Sequence, residues 1–201
     1  MTHLDQWAAD HAMPLAGGFS SPPTTLESIV PLLHAAFHPI GVGVAQIVTL
    51  PGQVVFSLLL VGAAAWRLGT RGRVEAAVCW LVAWFVAVAV ELVFRHTLTR
   101  QPLHRHGMHL VGFDSSWPSG HALRCALVAG ALATAWPRLR LPLAIWLAAV
   151  VILLEVAGFH TPTDLAGGLL LATAAAAGAV AVERSGRLRR RPGFWLRRSG
   201  P

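Results

Sequence analysis

Five stretches of roughly twenty mostly apolar residues, at about 47–66, 75–94, 119–137, 141–159 and 162–182, occupy about half of this chain. A helix of that length crosses the hydrocarbon core of a bilayer. The composition agrees: 55% of the 201 residues are hydrophobic and 12% are charged, and the mean hydropathy is +0.58. A soluble domain of this size is less apolar. The expected fold is an all-α integral membrane bundle of five transmembrane helices, or six, with an N-terminal interfacial helix.

The choice between five and six rests on residues 28–46, which are apolar but broken by His34, His38, Pro39 and several glycines. An interfacial or re-entrant helix is expected there in preference to a sixth span. The first 25 residues hold no Lys or Arg and no long apolar core, unlike a cleaved secretory signal. The organisation that follows is a polar N-terminal tail over 1–27, a helical membrane domain over 28–182 and an Arg-rich tail over 183–201.

Charge sets the orientation. All 16 basic residues are Arg, and twelve fall after the first, third and fifth runs, seven of them beyond residue 183. By the positive-inside rule that side is cytoplasmic. The loops at 95–118 and 160–163 then lie outside, giving a multi-pass protein of the plasma (inner) membrane with a cytoplasmic C-terminus. Trp66, Trp117 and Trp136 fall at the ends of runs, where an aromatic belt sits. A net charge of +7 is better matched to anionic lipid than to nucleic acid, because the basic tail abuts a span and carries no aromatic repeat. Cys79 and Cys125 both lie inside predicted spans, so no disulfide framework or thiolate metal site is expected.

Two polar segments stand where outer loops meet apolar runs: Trp117-Pro118-Ser119-Gly120-His121 and, about forty residues on, His160-Thr161-Pro162-Thr163-Asp164. Ser119 is a good N-cap and Gly120 admits close backbone approach. The free N–H groups of a helix start, aided by its dipole, suit an anion. In the second segment Thr161 fits the N-cap, Pro162 the first helical position and Asp164 the third position of a capping box. His160 then falls close enough for its ring to donate to Asp164, which fixes the tautomer and makes the other ring nitrogen a better nucleophile or base. Ionisable residues beside spans are functional candidates by default. Taken singly, a helix cap, an interface histidine and a snorkelling side chain remain the bland readings of these three residues.

Pro118-Ser119-Gly120-His121 followed by His160-x-x-x-Asp164-x-x-Gly167 resembles the second and third signature motifs of the type 2 phosphatidic acid phosphatase superfamily, the lipid phosphate phosphatases. The resemblance spans roughly residues 50–180. It implies a lipid phosphatase in which His160 attacks phosphorus to give a phosphohistidine, Asp164 orients it and His121 protonates the leaving oxygen. Ser119 and the Gly120 amide would hold phosphoryl oxygens. No cofactor and no metal are implied, and the partners are a lipid-anchored phosphate and the surrounding membrane lipids. A lipid phosphotransferase and a non-catalytic lipid-phosphate binder are the alternatives.

The departures are specific. The family's first motif reads Lys-x6-Arg-Pro, whereas this chain has Phe94 and Gln101 at those positions, with Arg95 and Arg100 each one residue away. A Ser-Arg pair of the third motif is replaced by Leu153 and Leu154. Arg124, one helical turn after His121, is the expected replacement for the missing arginine, with Glu155 or a phosphate as its partner. Glu91 is expected to pair with Arg95 or Arg100. The Arg- and His-rich loop, including Arg105, His104, His106 and His109, is expected to distinguish head groups. Three loop histidines without a carboxylate or cysteine pattern are weak grounds for a metal.

Overall fold

The computed structural model describes residues 2–11, 47–98, 104–105, 108–109, 117–156 and 159–185. Six helices organise them: α1 (Thr2–His11), α2 (Val54–Thr70), α3 (Val74–Thr97), α4 (Gly120–Ala135), α5 (Arg140–Val156) and α6 (Pro162–Ser185). Short 3-10 turns, η1 (Leu50–Gly52) and η2 (Pro137–Leu139), precede α2 and α5. Residues 28–46 lie outside the described residues, as do most of both expected tails. Within the tails, Thr2–His11 is helical and α6 continues through Glu183 and Arg184 to Ser185.

The first apolar run does not form a single helix. Pro51 and Gly52 interrupt it, and Gln53 adopts an extended conformation (φ −68°, ψ 145°) before α2 begins at Val54. Proline supplies no N–H and fixes its own φ, so a 3-10 turn replaces the α-helical ladder here. At the other end of α2, Gly72 takes a positive φ of 75°. Its amide bonds to the Gly69 carbonyl at 2.9 Å and that of Arg73 to the Leu68 carbonyl at 2.9 Å, a Schellman ending that a residue with Cβ would strain. The remaining runs become helices within a few residues of their expected bounds.

Helix α4 stands at the centre, packed on α2, α3, α5 and α6. Ala122, Leu123, Cys125, Leu127, Val128, Ala129, Ala131 and Ala135 are all buried. Small residues let its neighbours approach: a Cβ at Gly130 would lie 2.6 Å from the Trp80 ring. Close van der Waals packing of this kind is what joins helices in lipid, where burial from water supplies no driving force between them. The outward faces carry Phe56, Leu59, Trp66, Val82, Phe85, Leu141, Ile145 and Leu170, all exposed. Polar side chains such as Ser57, Glu91, Arg124 and Asp164 are buried instead, so the surface is apolar and part of the interior polar. Cys79 and Cys125 are buried free thiols.

Among the described residues, three helices are long and apolar enough to cross a membrane: Val74–Thr97, Pro137–Glu155 and Pro162–Ser185. Val54–Thr70 and Gly120–Ala135 are apolar but shorter. The two ends of the bundle differ chemically. At one, Arg73 pairs with Glu183 at 2.6 Å, and Arg71 and Arg73 donate to the Ala135 and Thr134 carbonyls at 3.1 and 3.4 Å. Those carbonyls belong to the last turn of α4, which has no helical partner for them. At the opposite end lie η1, the end of α3 and the starts of α4 and α6. The long loop there contains an antiparallel ladder of two residues per strand, with His104 opposite His109 and Arg105 opposite Met108.

Candidate active site

The start of α4 is built by its own cap. Ser119 is extended (φ −64°, ψ 110°) and its hydroxyl accepts the Ala122 amide at 3.3 Å. Its own amide donates to the Asp164 carbonyl at 2.9 Å, which ties the two helix starts together. Gly168 completes the junction, since a Cβ there would collide with the Ser119 carbonyl. Trp117 lies over Gly167 and its ring centroid is 5.4 Å from that of Phe94. Ser119 is therefore fully buried and serves first as a helix cap.

The start of α6 uses the expected capping arrangement. The Thr161 amide donates to Asp164 Oδ2 at 3.0 Å. His160 Nδ1 lies 3.7 Å from the same oxygen, an ion-pair distance and longer than the hydrogen bond expected from sequence. The amides of Phe159 and His160 both donate to the Leu154 carbonyl, at 3.0 and 3.2 Å, so the position that holds an arginine in the resembling motif here anchors the histidine through its backbone. His160 is buried, and its ring centroid is 6.2 Å from that of His121.

Arg124 is buried, and its partner is Glu91 on α3, not Glu155. Its Nη1 lies 2.5 Å from Glu91 Oε2, and its Nε donates to the Gly52 carbonyl at 2.6 Å. Arg124 stands on the face of α4 turned to α3 and η1, whereas Glu155 is carried by α5. Glu91 also holds Arg95, with Oε1 3.2 Å from Nε. One carboxylate thus fixes two guanidiniums from different helices beside the start of α4. Gly120 leaves the room this pair occupies: a Cβ would collide with the Glu91 carboxylate and lie 2.7 Å from Arg124 Nη1, so both side-chain ends would have to shift.

Three further contributors were not legible in the sequence. Gln53, just after η1, places its amide nitrogen 3.2 Å from His121 Nε2. Gly52 supplies the carbonyl for Arg124. Asp5 of α1 is buried and accepts from Thr163 at the start of α6, from its amide at 3.2 Å and its hydroxyl at 2.5 Å. Helix α1 therefore sits at the histidine end. Asp5→Ala is expected to lower stability by about 1 kcal/mol, the usual cost of losing a helix cap, measured as the thermal midpoint of tryptophan fluorescence. An unchanged midpoint would show that Asp5 carries no capping energy.

Arg100 lies outside the described residues, and Arg105 is described only in its backbone. Among the described residues no group of three His, Cys, Asp or Glu side chains is placed to hold a metal. A cleft of about 430 Å³ lined by Arg73, Glu75, Glu183 and Arg184 opens at the opposite, arginine-rich end. It holds no histidine, so the chemistry singles out the other end.

An apolar-faced helical bundle with a polar cluster between its helix starts defines a membrane protein. The class of its site is given by a family model: that of the PAP2 superfamily matches residues 92–186. That segment, carrying His121, His160, Asp164 and Arg124, is similar to the PAP2 superfamily, which is associated with phosphatase activity on lipid-like substrates. Searches of curated proteins and of solved structures found no match. Glu91 adjoins the matched segment, while Gln53 and Asp5 lie well before it.

Proposed function

We propose that this chain is a membrane lipid phosphatase that hydrolyses a phosphate monoester or pyrophosphate through a phosphohistidine. The observation that carries the reading is the pair of histidines, 6.2 Å apart between ring centroids, beside two arginines held by one buried carboxylate. A phosphorus between them has a nucleophile on one side and a proton donor on the other, with near-attack contacts of about 3–3.5 Å.

Nδ1 of His160 faces Asp164, so Nε2 is the attacking atom. The N–P bond forms as the P–O bond to the lipid breaks, and His121 protonates the departing oxygen. In the second half His121, now neutral, takes a proton from water as that water attacks phosphorus and displaces His160. The arginines and the amides at the start of α4 meet the charge on the phosphoryl oxygens. Arg124 stands in for the missing third-motif arginine, and Arg95, with Arg100 and Arg105 from the loop, supplies the outer cations. The reaction draws on no metal.

The distribution of arginine supports a histidine end outside the cell and a cytoplasmic C-terminal end of α6. Thr2–His11 and Leu50–Gln53 occupy the same end of the bundle, which supports five spans over six. Phosphate release by purified protein from polyprenyl pyrophosphate, phosphatidic acid, phosphatidylglycerol phosphate and a polyprenyl phosphosugar phosphate tests the reading. Release from at least one, abolished by His160→Ala and His121→Ala, is expected. Release unaffected by either substitution would remove the mechanism.

A further inference from the structure

The turn before α2 interrupts an apolar run that is otherwise long enough to span, and it touches the site at three points. The Gly52 carbonyl accepts from Arg124 Nε at 2.6 Å. Gly52 lies so close to α4 that a Cβ would stand 2.9 Å from Cys125 Sγ and 3.1 Å from both the His121 ring and its carbonyl. Gln53 then reaches His121 Nε2 at 3.2 Å. The segment is fixed from its other side by Trp146, whose indole N–H donates to the Val48 carbonyl at 3.1 Å.

We infer that Gln53 is a positioning residue for His121, holding the ring through Nε2 so that Nδ1 hands its proton to the leaving oxygen. This rests on the phosphatase reading above and adds to it a residue outside the segment matched by the family. A carboxamide suits the task because a half-turn presents either its oxygen or its nitrogen. It accepts from Nε2–H while His121 is the imidazolium, and it can donate to Nε2 when that nitrogen is unprotonated. The proton lost from Nδ1 goes to the lipid oxygen, and water restores it in the second half-reaction. A ring so held swings less, which preserves the alignment on which proton transfer depends.

The charged and titratable groups around His121 are Arg124 on its own helix, Arg95 on α3 and His160 before α6, with Glu91 between the arginines. Gln53 is exposed and uncharged, so its replacement leaves this cluster intact. That makes the pH profile a direct readout of the contact. In Gln53→Leu, kcat is expected to fall about tenfold with KM within about twofold, as for a modest misalignment of an acid. In Gln53→Glu, a carboxylate at Nε2 stabilises the imidazolium. The limb of kcat/KM that falls with rising pH is then expected to move up by about one pH unit.

The experiment measures kcat, KM and pH profiles of the full chain in lipid nanodiscs for wild type, Gln53→Leu, Gln53→Glu and His121→Ala, on the best substrate of the panel. A lowered kcat in the first variant with the shifted limb in the second supports the inference. Wild-type kcat and pH profile in both variants, with His121→Ala inactive, would overturn it and leave the phosphatase reading standing. An active His121→Ala would instead remove that reading and this inference with it.

Discussion

His160→Ala is expected to reduce phosphate release by about 10⁴-fold or more, since removing a nucleophile abolishes the covalent route and leaves only binding and electrostatic stabilisation. The same substitution at His121 is expected to cost about 10²–10⁴-fold, the usual contribution of a positioned acid. The two effects should differ in kind as well as size. His121→Ala slows departure of the lipid oxygen, so a substrate with a better leaving group, such as an aryl phosphate, should recover much of its rate. His160→Ala should recover nothing with that substrate. Steady-state rates on a lipid phosphate and on an aryl phosphate, compared across both variants, check this. Equal recovery in the two variants would contradict the assignment of roles.

The second large effect concerns the Glu91 pair. Glu91 is 2% exposed and Arg124 is 6% exposed, so breaking the pair leaves an uncompensated charge away from water. Glu91→Ala is expected to destabilise the protein by about 3–5 kcal/mol, which lowers the thermal midpoint by roughly 10 °C for a chain of this size. Arg124→Ala should destabilise comparably and, if the proposed phosphate-binding role holds, also raise KM. Replacing both partners by apolar residues of similar volume, as in Glu91→Leu with Arg124→Met, should restore much of the stability but none of the activity. Midpoints in detergent and kinetics in nanodiscs separate the two effects. Full phosphatase activity in Arg124→Ala would show that another cation replaces the missing arginine.

Much of the helical framework follows from the chain's own pattern. Apolar runs located α3, α4, α5 and α6 to within a few residues, because each is bounded by Pro, Ser or Arg. The start of the first run is less legible, because Pro51 and Gly52 carry the breaking signal while the flanking residues are as apolar as any span. His121, His160, Asp164 and Arg124 were legible because each is a polar residue at or inside an apolar run.

Their partners were less so. Glu91 bears the same signal as Glu155, a carboxylate within a span, and only the adjacency of α3 and α4 decides which one meets Arg124. Gln53 and Asp5 are separated from His121 and Thr163 by 68 and 158 residues, and nothing local to either marks it as part of a site. Ser119 shows how one residue carries two signals: its cap uses an acceptor site of the hydroxyl oxygen and leaves the O–H proton, the group a phosphoryl oxygen would accept.

The central claim is that His160 carries the phosphoryl group, and rapid-quench labelling with a radiolabelled lipid phosphate tests it most directly. The account predicts an acid-labile, alkali-stable phosphoenzyme that forms within one turnover, maps to His160 by peptide sequencing and is absent from His160→Ala. Wild-type turnover with no label on any histidine, or with label on another residue, would contradict it.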